Sequence, residues 1–209
     1  MTEAEALDAI ARDTETCTRC PLSQGARHAV PGTGDPHAEL LFIGEYPSAY
    51  DDRSGRPFSG PTGAFLDELL ALVGLDRSRI FLTNVVKHRV PDGRPLAPSE
   101  IAACAGYLTR QIAAVRPKVI VALGRSATLR YFPKGTISQL HGRFKPVGSQ
   151  VVVAMYNPAA ALHREELRAA VVHDFTTAIP AALAEARRLA ASGALRPSAD
   201  EPPQQLSLF

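Results

Sequence analysis

The sequence predicts an α/β protein with three layers, α/β/α, built around a central sheet of four mostly parallel strands. Four apolar runs rich in β-branched residues alternate with segments of helical periodicity, which is typical of a parallel sheet with helices on both faces. The runs are almost continuously apolar, as expected for strands that are buried on both sides. They lie at residues 40–44, 80–86, 119–124 and 151–155.

Three segments carry helical signals. Residues 62–73 have apolar side chains at the i, i+3, i+4 and i+7 positions of one helix face. Residues 98–115 form the next predicted helix, with Ser99 as its expected N-cap. Residues 164–191 are rich in alanine, leucine and arginine but contain Pro180, which predicts two helices or one kinked helix.

Length and composition indicate one globular domain. The chain has 209 residues, of which 45% are hydrophobic and 21% charged, enough to build a substantial core. We expect this domain to span residues 1–190, followed by a flexible Pro/Ser/Ala-rich linker at 191–204 and a short apolar peptide at 205–209. No apolar run is long enough to cross a bilayer, and the acidic, helical N-terminus is unlike a signal peptide. We therefore expect a cytoplasmic protein without membrane association.

A candidate metal site comes from three cysteines and one histidine. Cys17 and Cys20 form a C-x2-C pair, whose thiolates can close on one ion or cluster, whereas Cys104 lies far away and His88 follows the second strand. Such a set suits structural zinc or an iron–sulfur cluster. The alternative is that Cys104 is a small buried residue and His88 faces solvent. The spacing of these four residues is compatible both with a metal site and with the absence of one.

The loop after the first strand is the predicted ligand site. Residues 44–63 hold four glycines and three prolines and begin at the carboxyl end of a strand, where open α/β sheets bind ligands. Glu45 is expected to point into the crevice, and Phe58 could present its ring to a base. The alternative is an ordinary loop in which Phe58 anchors the core. Long loops in compact domains are more often functional.

Four short motifs lie in or after the predicted strands: GEYPS at 44–48, GRPFSG at 55–60, TNVVKH at 83–88 and NPAAALH at 157–163. In content and order they resemble the motifs of the uracil-DNA glycosylase superfamily, and most of all those of its iron–sulfur branch, family 4. The resemblance covers residues 16–168 and implies the glycosylase fold.

The resemblance implies a role for each residue of the pocket. Asn84 would read the Watson–Crick edge of a flipped uracil, because its amide can donate to O4 and accept from N3–H. The other expected substrate-binding residues are Gly44, Ser48 and Phe58, and the expected catalytic residues are Glu45, Tyr46 and Asn157.

Two departures from the family pattern concern catalysis. Asn157 stands where most members have a histidine, and its neutral amide is a weaker donor to the uracil O2, which predicts reduced excision or a different damaged base. Mismatch-specific uracil glycosylases also have Asn-Pro at this position. Tyr46 stands where family 1 enzymes hold a water-positioning aspartate. A phenol is a poor base at neutral pH, so we expect Tyr46 to shape the pocket, contact DNA or simply pack.

A third departure concerns the metal site. His88 stands at a family cysteine position, and the resemblance implies a structural [4Fe-4S] cluster bound by Cys17, Cys20, His88 and Cys104, with structural Zn2+ as the alternative. UdgX-type relatives also have Lys-His here, but they capture DNA covalently through a histidine in an inserted loop that this chain lacks. We therefore do not expect covalent capture, although His88 and His141 remain candidates for it.

DNA and a replication protein are the expected partners. The cations Lys87, Arg89 and Arg94 are expected to face phosphates, with a solvated loop as the alternative, and the DNA wedge would comprise Ala160, Leu162 and His163. Residues Gln205, Leu206, Leu208 and Phe209 resemble the bacterial sliding-clamp-binding peptide. The alternative is a segment folded back onto the core. These features indicate a monomeric, nucleoid-associated bacterial enzyme.

The predicted activity is removal of uracil, or a related damaged pyrimidine, from DNA. The enzyme would flip the base and hydrolyse its N-glycosidic bond to leave an abasic site. Two alternatives remain: a damaged-DNA-binding module in which Asn157 and Tyr46 have weakened catalysis, or UdgX-like covalent capture of the abasic product.

Overall fold

The structure, a computed structural model, describes residues 1–193. The expected sliding-clamp peptide at 205–209 and most of the expected linker lie outside these residues. The described chain folds around a six-stranded sheet with the strand order β1-β3-β2-β4-β6-β5. Its strands are β1 (Thr33–Gly34), β2 (Leu40–Gly44), β3 (Ile80–Asn84), β4 (Val119–Leu123), β5 (Phe144–Val147) and β6 (Gln150–Met155).

Helices connect and flank these strands. They are α1 (Glu3–Glu15), α2 (Ala49–Ser54), α3 (Gly60–Leu72), α4 (Pro98–Val115), α5 (Arg125–Leu129), α6 (Ile137–Leu140), α7 (Pro158–His163) and α8 (Arg168–Ala191). In the part of the chain that the structure describes, no helix combines the length and the apolar character needed to span a bilayer.

The four predicted strands form the parallel centre of the sheet, which confirms the α/β/α fold class. β3, β2, β4 and β6 pair in parallel, and every residue of β2, β3 and β4 is buried. The sequence analysis missed the antiparallel edge strands β1 and β5. β1 has two residues and β5 contains Pro146, so neither carries a pattern long enough to predict a strand.

The two helical layers enclose separate apolar cores. One face of the sheet packs against α3, α7 and α8, and the other packs against α1, α4 and α5. Phe42 and Phe175, fully buried, stack with ring centroids 6.1 Å apart on the first face. Tyr107 of α4 is buried on the second face and donates a hydrogen bond to the carbonyl of Asp13.

Two helix predictions need correction. Helix α4 is capped by Ala97 and Glu100, not by Ser99: Pro98 takes the first helical position, and the Glu100 carboxylate accepts from the Ala97 N–H at 2.8 Å. Helix α8 begins at Arg168 and runs without a break through Pro180. Its buried residues lie on both sides of the proline, so packing against the sheet holds one continuous helix.

The carboxyl ends of the central strands meet at one edge of the sheet. Gly44 pairs with Asn84 there, and the chain leaves β4 at Gly124 and β6 toward Asn157. β2 lies between β3 and β4, so the strand order reverses at this point. This is the topological switch point at which open α/β sheets bind ligands.

Candidate active site

Gly44 lies where the loop after β2 meets the end of β3. A Cβ on this residue would lie 2.8 Å from Cζ of Phe58 and inside van der Waals contact of the Asn84 carboxamide oxygen. The bare backbone of Gly44 therefore allows the phenyl ring and the carboxamide to approach each other. The structure brings these three predicted substrate-binding residues together.

Asn84 carries an unpaired polar group at this point. Its side chain is 3% exposed, and Nδ2 is buried without a hydrogen-bond partner among the described residues. Leaving a buried donor unpaired costs about 1–3 kcal/mol, so such a group in a folded protein needs an explanation. A ligand that accepts from Nδ2 supplies one.

Phe58 sits in a strained backbone conformation. Its φ is +52°, in the left-handed region that non-glycine residues rarely adopt, and its ring is 5% exposed in the core beside α3. Such strain costs roughly 1–3 kcal/mol and is concentrated at functional sites. The neighbouring Ser59 N–H donates to the buried Asp51 carboxylate at 2.6 Å, which ties the loop to α2.

The Glu45 carboxylate is fixed above the end of β4. Its Oε1 accepts from the backbone N–H of Ser126 at 2.8 Å. Gly124 has a φ of +88°, and a Cβ there would lie inside contact distance of Glu45 Oε2. The sequence did not predict that Gly124 and Ser126 hold this carboxylate, because both lie about 80 residues away in the chain.

Tyr46 follows Glu45 in the loop after β2 and is held in place by a hydrogen bond. Its hydroxyl donates to the carbonyl of Gly93 at 3.3 Å. Burial, and then the negative charge of Glu45, raise the pKa of the phenol above 10.0. Tyr46 is therefore neutral at physiological pH and cannot act as a base. Together with Glu45, it lines a cavity of about 450 Å³ that also contacts Arg94, Arg125 and Arg130.

Asn157 is the N-cap of α7. Its Oδ1 accepts from the Ala159 N–H at 3.0 Å, and Pro158 takes the first helical position. Capping uses the oxygen and leaves the Nδ2 group to act as a donor. The half-buried Asn157 follows Tyr156, whose ring lies 4.5 Å from that of His141.

Lys87 does not face DNA, contrary to the prediction. It is fully buried, and its ammonium donates to Thr83 Oγ1 at 2.7 Å, to the Asn84 carbonyl at 2.7 Å and to Gln111 Oε1 at 2.8 Å. Burial, opposed in part by Cys104, lowers the pKa of Lys87 to about 7. All three ammonium donors are used inside the protein, so Lys87 braces the end of β3.

The other residues predicted to contact DNA differ in their exposure and in their hydrogen-bond partners. Arg94 forms a two-pronged ion pair with Glu100, with distances of 2.9 and 2.6 Å, whereas Arg89 is exposed. Leu162 is 41% exposed on α7, a large apolar side chain in water. Ala160 is half-buried and His163 exposed on the same helix. The hydroxyl of Ser48 caps α2 by accepting from the Asp51 N–H, so it shapes the loop.

The four predicted metal ligands are all buried. Cys17, Cys20 and Cys104 are buried free thiols in one core cluster. Burial raises the pKa of Cys104, the Lys87 backbone donates a hydrogen bond to its sulfur, and Cys20 and Cys17 lie near enough to raise its pKa further. His88 is 4% exposed and does not face solvent; its Nδ1 is buried without a partner among the described residues.

The donor types suit either an iron–sulfur cluster or zinc, although the described residues form no metal site. Within residues 1–193, no three His, Cys, Asp or Glu side chains converge closely enough to hold one metal ion. Burial lowers the pKa of His88, which keeps the imidazole neutral, the form that binds metals. Three thiols and one unpaired imidazole are donors that iron–sulfur clusters accept, and each iron takes its own ligand.

Comparison with known proteins agrees with this geometry. Residues 31–178 match the model of the uracil DNA glycosylase superfamily. The Type-4 uracil-DNA glycosylase of Archaeoglobus fulgidus is 42% identical over 180 residues, which cover 82% of this chain and 90% of that protein. The Sulfurisphaera tokodaii protein of the same name is 39% identical, covering 82% of each chain. That of Thermotoga maritima is 36% identical, covering 85% of this chain and 95% of its own. The chain belongs to the uracil-DNA glycosylase superfamily.

Proposed function

We propose that this protein is a uracil-DNA glycosylase of DNA repair, which hydrolyses the N-glycosidic bond of uracil and leaves an abasic site. The observation that carries the proposal is the buried, unpaired Nδ2 of Asn84, a residue whose carboxamide lies, like the Phe58 ring, against the bare backbone of Gly44. The names of its Type-4 relatives support the same activity.

Asn84 and Phe58 select the base. The Asn84 amide donates to uracil O4 and accepts from N3–H, and Phe58 stacks on the flipped ring. Cytosine presents an amino group where uracil has O4, so it would leave the buried Asn84 donor facing another donor. A site built on such a hydrogen bond rejects the wrong base strongly, because a buried polar group is then left unpaired.

Asn157 and Glu45 act on the bond that breaks. Cleavage leaves negative charge on the uracil O2 and positive charge on the sugar. The Nδ2 group of Asn157, whose oxygen is used in capping, donates to O2. The Glu45 carboxylate, held by the Ser126 N–H, stabilises the sugar cation and holds water near C1′. Tyr46, neutral and bonded to Gly93, shapes the wall of the pocket.

An oligonucleotide experiment tests the activity. The protein is incubated with a duplex and a single strand that contain one uracil, then treated with alkali. Strand cleavage at the uracil is expected for the wild type, and its loss is expected for Asn84→Ala. A retarded but intact strand would support a binding module instead. An adduct that resists SDS would support covalent capture, and His88→Ala and His141→Ala would then locate the nucleophile.

Cys17, Cys20, Cys104 and His88 are proposed to hold a [4Fe-4S] cluster, with structural Zn2+ as the alternative. The cluster would tie the segment after α1 to the loop after β3, beside the pocket. The unpaired Nδ1 of His88 and the three free buried thiols support this assignment. Iron, sulfide and zinc analysis of protein purified without oxygen decides between the two metals.

Exposed groups near the pocket are proposed to contact DNA. Leu162 is the wedge that enters the stack, with Ala160 and His163 beside it, and Arg89 contacts phosphate. Arg94 would have to exchange its Glu100 partner for phosphate. The segment 205–209 is proposed to bind a bacterial sliding clamp, through Leu and Phe anchors in an apolar groove. The enzyme is proposed to act as a monomer near the nucleoid.

A further inference from the structure

Phe58 needs an outside support to keep its ring over Gly44. Its left-handed backbone conformation is unfavourable for a residue with a side chain, so the local sequence alone does not hold it. The strain has to be balanced by contacts from elsewhere in the fold. The Phe58 carbonyl is the group through which such a contact is made.

Arg77 makes this contact from the short turn before β3. Its Nη2 donates to the Phe58 carbonyl at 2.7 Å and to the Gly63 carbonyl at 3.1 Å, while its Nε donates to Asp67 at 2.6 Å. One guanidinium thereby joins the Phe58 loop to the first turns of α3. Gly63 permits the approach, because a Cβ there would lie 2.7 Å from Nη2 and inside contact distance of the Phe58 carbonyl oxygen.

The contribution of the Arg77–Asp67 ion pair to folding stability does not account for this arrangement. The side chains of Arg77 and Asp67 are 35% and 52% exposed, and ion pairs of that exposure contribute little to folding. Instead, the rigid, forked guanidinium of Arg77 donates to two backbone carbonyls. A lysine ammonium cannot reproduce this geometry. Asp67 orients the guanidinium by accepting from its Nε.

We infer that Arg77 is a positioning residue for base recognition: it holds Phe58 in the strained conformation that places the ring for stacking on the flipped base. The inference rests on the proposed uracil excision by this pocket. Arg77 does not touch the base, so its contribution passes entirely through Phe58. Contacts between the protein and the DNA backbone do not involve the base, so they should not depend on Arg77.

The test compares Arg77→Met with Arg79→Met, a matched control. Arg79 is two residues away, exposed, and makes one long hydrogen bond, at 3.4 Å, to Gly74. For Arg77→Met we expect excision of uracil and inhibition by free uracil both to weaken by about tenfold. Binding of DNA that carries an abasic-site analogue should change by less than about twofold, because no base is present to stack. Arg79→Met should resemble the wild type in all three measurements.

Chemical rescue and a double-mutant cycle separate positioning from general loosening. Guanidinium ion at millimolar concentration should restore excision by Arg77→Ala, whereas sodium chloride at the same ionic strength should not. In protein that already carries Phe58→Ala, adding Arg77→Met should reduce uracil excision only slightly further. The effects of two substitutions that act through one contact are not additive. If Arg77→Met does not fold, Arg77→Lys serves in its place, with a partial loss expected.

Three outcomes would overturn the inference: unchanged excision in Arg77→Met, equal weakening of uracil-containing and abasic DNA, or full additivity with Phe58→Ala. A wild type that leaves uracil intact would instead overturn the proposed function.

Discussion

Gly44 is the residue on which the geometry of the pocket depends most directly. A Cβ on Gly44 would lie 2.8 Å from Phe58 Cζ and inside contact distance of the Asn84 carboxamide oxygen. Any side chain here would occupy the space in which those two groups meet. The backbone of Gly44 is in ordinary extended conformation within β2, so the glycine is needed for the close approach and not for a special φ.

Replacing Gly44 by alanine should therefore damage the site more than the fold. We expect excision of uracil to fall by at least about tenfold, which corresponds to about 1.4 kcal/mol of transition-state stabilisation. The melting temperature should change little. Gly106→Ala on α4 is the control, because a Cβ there would meet no atom within 4 Å. Wild-type excision by Gly44→Ala would contradict this account of the pocket.

Asn157 combines a capping and a catalytic task in one carboxamide. Substituting histidine should raise uracil excision by about tenfold, because an imidazole is a stronger donor to O2 than a neutral amide. Loss of the cap costs about 1 kcal/mol of stability, so the melting temperature should fall slightly. Single-turnover rates measure the gain, with Asn157→Ala as the inactive control. If Asn157→His does not increase the rate of excision, the proposed role of Asn157 as the donor to O2 is wrong.

At the scale of elements, the loop after β3 connects two sites. Asn84 ends the strand at the pocket, Lys87 braces it from inside, and His88, also buried, follows Lys87. His88, the proposed metal ligand, lies four positions after Asn84, whose amide is proposed to read the base. Loss of the metal should therefore loosen the strand end that carries Asn84.

His88 substitutions test this connection. His88→Cys restores a thiolate at this position and should keep the visible absorption of an iron–sulfur cluster, whereas His88→Ala should lose it or lose it faster in air. The spectra are recorded on anaerobically purified protein and do not depend on activity. Full absorption and iron content in His88→Ala would exclude His88 as a ligand.

The contact between α8 and the turn before β5 predicts a dependence of stability on pH. Asp174 is 3% exposed and pairs with His141 Nδ1 at 2.8 Å, with His173 also nearby. Burial raises the pKa of Asp174 above its ordinary value of 3.8, although His141 opposes the shift. A raised carboxyl pKa contributes stability below about pH 4, and this contribution is lost as the pH rises through the folded-state pKa.

Asp174→Asn should accordingly stabilise the protein at neutral pH and not in acid. The amide removes the cost of a buried negative charge and can still accept from His141. We expect the melting temperature to rise by about 2–4 °C at pH 7.5, roughly 1 kcal/mol, and the difference to shrink toward pH 4. Thermal melts across this range measure it. A lower melting temperature at every pH would show that the charged pair with His141 outweighs the cost of burial.

At the scale of the whole molecule, the pocket residues and the proposed wedge lie at one edge of the sheet. The carboxyl ends of β2, β3 and β6 lead to Glu45, Asn84 and Asn157, and α7 carries exposed Leu162 directly after Asn157. A DNA strand laid across this edge would meet all of them. Recognition by the pocket is therefore separate from any tether supplied by residues 205–209.

Removing residues 205–209 should separate these two functions. We expect the truncated protein to excise uracil from short oligonucleotides at the wild-type rate but to lose binding to a purified bacterial sliding clamp. Pull-down with the clamp measures the loss, and replacing Leu206 and Phe209 by alanine in the full chain is the matched control. Unchanged clamp binding after truncation would refute the proposal.

Local patterns in the sequence determined the strands, the main helices and the polar groups at the strand ends. These features depend on neighbours a few residues apart: periodicity, glycine and proline positions, and motif order. Phe58, Asn84 and Gly44 could be assigned to one pocket because their motifs resemble those of the uracil-DNA glycosylase superfamily. The edge strands could not be predicted, since two residues, or a strand with a proline, carry little pattern.

The tertiary structure alone decided which side chains are buried and what they bind. Lys87 begins the basic run Lys87-His88-Arg89, yet it is buried against Gln111, 24 residues away, and braces β3 instead of lying on the surface. Arg77 lies 19 residues from the carbonyl it supports, and Ser126 lies 81 residues from the carboxylate it holds. Burial and partner choice depend on contacts between segments distant in the chain, so the role of a charged residue is set by the packed fold and not by its neighbours in sequence.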